Sequence, residues 1–61
     1  MAALNEVARL KRDVKTLVEA VNMDLRPNAK VAMTVSDRRN IKSEIENCMR
    51  ELDELRNRLG G

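Results

Sequence analysis

In the segment IKSEIENCMRELDELRNRL, residues 41–59, the apolar side chains stand at Ile41, Ile45, Cys48, Leu52, Leu55 and Leu59, in alternating steps of four and three. That spacing draws one stripe down a helix, the kind that lies along a second helix. The first part of the chain carries the same stripe at Ala3, Val7, Leu10, Val14, Leu17 and Val21, with good helix formers between. Two such stripes can fold back on each other, or run on as one rod in a parallel coiled coil. Pro27 and the non-periodic residues after it favour the hairpin, because proline clashes with the preceding turn and pushes Arg26 out of helical geometry.

The registers of the stripes agree. In an antiparallel hairpin, residues at one height have position numbers with a constant sum. Ala3 with Leu59, Val7 with Leu55, Leu10 with Leu52, Val14 with Cys48, Leu17 with Ile45 and Val21 with Ile41 all meet that condition. The next rung sets Asp24 opposite Arg38, an ion pair that contributes about 0–1 kcal/mol but disfavours a shifted register. The expected fold is therefore all-α, a single antiparallel two-helix hairpin of coiled-coil type over residues 1–61. Its first helix spans 3–25, its loop 26–34 and its second helix 35–59.

Local signals mark the ends. Thr34 with Asp37 resembles a capping box, Ser36 before Asp37 is a second possible start, and Gly60 is a left-handed stop. Val31 and Met33 are expected to fold back over the end of the helix pair. A β excursion over residues 30–35 is too brief to pair with anything.

Each stripe of a lone hairpin is covered on one side only, and sixty-one residues seldom bury enough to stand alone. With Val7 and Ile45 at heptad position a, the e positions are Leu4, Lys11, Val18 and Leu25, then Lys42, Met49 and Arg56. The g positions are Glu6, Asp13, Ala20, Glu44, Glu51 and Arg58. One edge is thus apolar with basic residues, and the other mainly acidic. Packing the first edge on a second hairpin closes a four-helix bundle and covers Leu4, Val18, Leu25 and Met49. The expected partner is a second copy, as a homodimer, or another helical protein. Lys11, Lys42 and Arg56 then come within reach of acids on the facing chain.

Chemistry has no foothold. The chain has no histidine or aromatic residue, no phosphate-binding glycine loop, and one cysteine without a base partner. No enzyme activity, cofactor or metal site is expected, since the inward positions are aliphatic. Glu44, Glu46, Glu51, Asp53 and Glu54 read as a solvated surface, with Glu46–Arg50, Glu54–Arg58 and Asp53–Arg56 spaced for intrahelical pairing. Cys48 reads as a small core residue in a reducing compartment. With no apolar run of membrane-spanning length and no signal-peptide pattern, a cytoplasmic location without membrane attachment is expected. Met23, Met33 and Met49 read as gap-fillers, Asn40, Asn47 and Asn57 as outer-surface residues, and Gly60-Gly61 as a helix stop and frayed end.

A second functional reading comes from the outer face of the first helix. Arg9, Arg12 and Lys15 occupy c, f and b positions beside Lys11, and Arg38 and Arg39 add charge near the loop. Clustered Lys and Arg supply sequence-independent affinity for nucleic acid. In length and hairpin pattern the chain resembles the plasmid copy-number regulators of the Rop family, helical-hairpin dimers that bind paired RNA loops. The resemblance rests on size and helix arrangement, and it implies an RNA- or DNA-binding regulator as the alternative to an assembly module.

Overall fold

A computed structural model describes residues 1–60. Two helices account for most of it, α1 from Ala2–Asp24 and α2 from Val35–Leu59. The molecule measures 44 × 20 × 15 Å. An unbroken helix of this length would reach about 90 Å at 1.5 Å per residue. The chain therefore doubles back, and the architecture is an all-α hairpin.

α1 starts without help from its side chains. Met1 occupies the N-cap and makes no side-chain hydrogen bond, and the first turn holds no acid. At the other end Leu25 donates to the Val21 carbonyl at 3.0 Å and stays near helical geometry at φ −85. Regular helix stops at Asp24, one residue short of the expected end. Pro27 then sits at the second position of a tight turn, in which the Ala29 N–H donates to the Arg26 carbonyl at 3.1 Å. Its fixed φ suits that position. No non-glycine residue among those described has positive φ, so the loop needs no glycine.

α2 is better provided. Thr34 Oγ1 accepts from the Asp37 N–H at 3.0 Å, while the Asp37 carboxylate accepts from the Thr34 N–H at 3.2 Å. This is a complete capping box, with aspartate in the place usually held by glutamate. Arg56 and Arg58 lie in the last turn, where cations complement the helix dipole. Gly60 closes the helix at φ 76, its N–H donating to the Asn57 carbonyl at 3.3 Å. Replacing Thr34 with alanine removes one cap acceptor and is expected to lower stability by about 1 kcal/mol, measured by urea unfolding. Thr34→Ser, which keeps the hydroxyl, is expected to hold the parent midpoint.

The two helices oppose one another without interlocking. No Cα of α1 comes within 8 Å of a Cα of α2. The closest cover is at the loop end, where Val21, Ala29, Met33 and Ile41 are half-buried. There Asp24, Val31, Met33, Asp37, Asn40 and Ile41 are among the residues that line an open cleft of ≈ 260 Å³.

Two details of the loop end depart from the sequence reading. Asp24 and Arg38 form no ion pair. An exposed pair of this kind gains too little to hold two side chains across a gap. Val31 does not fold back either and remains 79% exposed. Met33, with its longer and more flexible side chain, is half-buried at the same end, while Val31 only borders the cleft.

Candidate interaction surface

Among the described residues none is fully buried, and of the two apolar stripes only Val21 and Ile41 are half-buried. Leu10 is the most covered of the large exposed apolar residues, at 38%, and Leu59 at the open end is 80% exposed. No Cα of either stripe comes within 8 Å of the opposite helix, so the six rungs expected from the register are not closed. Cys48, at the middle of the second stripe, is exposed beside Glu44 and Glu51.

The edge residues are exposed as well. Leu4 is 67% and Met49 63% exposed, and Lys11, Val18, Leu25, Lys42 and Arg56 are exposed with them. With the stripes they give each helix an exposed apolar face, to which Lys11, Lys42 and Arg56 add three cations.

Its extent can be set against what a chain of this size exposes when compact. A folded 7.0 kDa monomer has about 4,000 Å² of accessible surface by the usual size scaling. This chain has 6010 Å². The excess, about 2,000 Å², exceeds the roughly 800 Å² that one partner contributes to an ordinary protein interface.

The basic residues are arranged differently. Arg9 is engaged by Glu6 at 3.2 Å, a spacing of three that the sequence contained and that was not among the expected pairs. Arg12 and Lys15 are exposed, and the Arg12 carbonyl accepts from Thr16 Oγ1 at 3.1 Å. Arg38 and Arg39 lie near the start of α2, at the loop end. Arg38 moreover lies on the stripe register, away from the outer c, f and b positions.

Of the intrahelical pairs expected on α2, Asp53 with Arg56 forms. Glu46–Arg50 and Glu54–Arg58 do not. All six side chains are solvated, and a few tenths of a kcal/mol per pair hardly outweighs the rotamer freedom given up.

No helix among the described residues is long and apolar enough to cross a membrane. No group of three or more His, Cys, Asp or Glu side chains among them is placed to hold a metal ion. Compared with known proteins, the chain matches no family model, and no curated protein or solved structure shows significant similarity to it.

Proposed function

We propose that the chain is an assembly module, a helical hairpin whose activity is to associate with further helices, either those of another copy or those of a helical partner. The observation that carries this reading is an accessible surface about 2,000 Å² larger than that of a compact monomer, with the stripe leucines Leu10, Leu17, Leu52 and Leu55 all exposed on it. Leaving those apolar side chains in water forgoes the main force that offsets the entropy of ordering a chain. A hairpin with no fully buried residue gains its stability from whatever closes the open side.

Leu4, Val18, Leu25 and Met49 carry the contact in this reading, with Lys11, Lys42 and Arg56 at its rim. The experiment is a pair of substitutions at exposed positions, Val18→Lys and Leu25→Lys. Neither side chain has neighbours to lose within a single hairpin core. The doubly substituted chain is expected to sediment as a monomer and to show a much weakened helical circular-dichroism signal. An unchanged mass and melting curve overturns the proposal.

A further inference from the structure

The two stripes match in spacing from end to end, yet the helices that carry them stand apart. Packed helices run about 8–10 Å between axes with Cα atoms about 2.3 Å off each axis, which brings facing Cα atoms closer than the 8 Å that α1 keeps from α2 throughout. We infer that the hairpin is a pair of arms hinged at the loop, open in the single chain, and that the arms close on one another when further helices dock. This rests on the assembly reading and adds to it a change of shape within the chain.

The cover of the stripes places the hinge. Val21 and Ile41, next to the loop, are half-buried, and Ala29 and Met33 of the loop are half-buried with them. From there exposure climbs along α2, from 39% at Ile45 through Leu52 and Leu55 to 80% at Leu59. Along α1 it goes from 43% at Leu17 to 51% at Val7, with Leu10 alone out of order. Cover that fades away from the loop is what two arms joined at one end produce.

The joint is built to turn. On the α1 side Pro27 sits in a tight turn, where the Ala29 N–H donates to the Arg26 carbonyl at 3.1 Å. On the α2 side the capping box holds Thr34 to its helix. Between them residues 30–33 make no backbone hydrogen bond. A short segment free of such bonds can absorb a change of direction while both helices stay whole.

Closure by itself gains too little. It covers each stripe on one side only, and it leaves Leu4, Val18, Leu25 and Met49 in water, since these lie beside the stripes in the heptad pattern. So thin a core hardly offsets the entropy of ordering both arms. A helix docked along the flanking residues supplies the missing burial. The matched spacing in turn has a use only in the closed form, because arms that stay apart gain nothing from it. Docking and closing therefore favour one another. A partner that binds closed arms is weakened in proportion to how rarely they close alone, and fixing the arms closed removes that handicap.

The test joins Val14→Cys to the native Cys48, its counterpart in the register, with Lys15→Cys on the outer face as the control. A disulfide needs Cα atoms roughly 4.4–6.8 Å apart, which the open arms do not offer. Each whole chain is equilibrated with oxidised and reduced glutathione, and mass assigns the bond as within or between chains. A second copy of the chain serves as the docking probe in sedimentation. The expected intrachain bond is roughly tenfold or more stabler in the Val14→Cys chain than in the control, and its stability rises with protein concentration. The locked chain is expected to associate at a concentration roughly tenfold or more below that of its reduced form. An intrachain bond no stabler than the control's overturns closure. A bond equally stable at every concentration, or a locked chain that associates no more readily than the reduced one, overturns the coupling. In these cases the assembly reading still stands or falls on the Val18→Lys and Leu25→Lys chain. A reduced chain that stays a fully helical monomer overturns both.

Discussion

A chain carrying Leu52→Asp is expected to lose its helical circular-dichroism signal at micromolar concentration, where the parent chain retains it. Leu52 stands near the middle of the α2 stripe, paired with Leu10 in the expected register. In the proposed bundle it packs in a central layer, and each dimer carries the substitution twice. Truncating one buried leucine to alanine already costs about 2–5 kcal/mol. A carboxylate adds the cost of desolvating a charge with no partner nearby. Small domains are stable by only about 5–15 kcal/mol, so two such defects exceed what this fold holds in reserve. Leu52→Met conserves volume and is expected to cost less than about 1.5 kcal/mol. If the aspartate variant melts like the parent, the stripe does not line a core and the assembly reading fails.

Dilution is expected to unfold the native chain. When folding and association are one event, each tenfold fall in concentration removes about 1.4 kcal/mol from the assembled state. For a fold of this size that lowers the melting temperature by roughly 5–10 °C. A hairpin that folds alone melts at one temperature whatever its concentration. Cys48 offers an independent reading of the same equilibrium. Its thiol is exposed in the single chain but lies inside the central layers of the proposed dimer. Its reaction with an aromatic disulfide reagent is expected to slow by an order of magnitude or more at high concentration and to recover on dilution. A rate that does not depend on concentration excludes the dimer.

These expectations draw on features that differ in how plainly the sequence displays them. The second helix was legible almost residue by residue. Thr34, Asp37 and Gly60 act through bonds to backbone groups no more than three residues away, so their spacing alone defines the geometry. Pro27 was legible for the same reason, since a fixed φ and a missing N–H act locally. The end of α1 shifted by one residue, within the range over which helices fray.

Pairs whose partners must meet through water were read less well. Asp24 and Arg38 have opposite charges at matching heights, but nothing brings them together. Arg9 and Glu6, three residues apart on one helix, do meet. The difference is entropic: a shared helix holds the second pair close in advance, whereas the first must span the space between two helices. Val31 shows the same limit, because an apolar residue in a loop is covered only if a surface happens to lie within its reach.

What the sequence by itself determined is the secondary structure and the doubling back of the chain. Helix periodicity, caps and the turn at Pro27 are all set by interactions within a few residues. What only the tertiary structure decided is how much those helices shield one another: no described residue is fully buried, and the backbones stay beyond 8 Å. Burial depends on the separation and relative tilt of two rods, which side-chain spacing along each rod does not contain. That separation leaves both stripes half in water, and the half left open is where this chain has room for a partner.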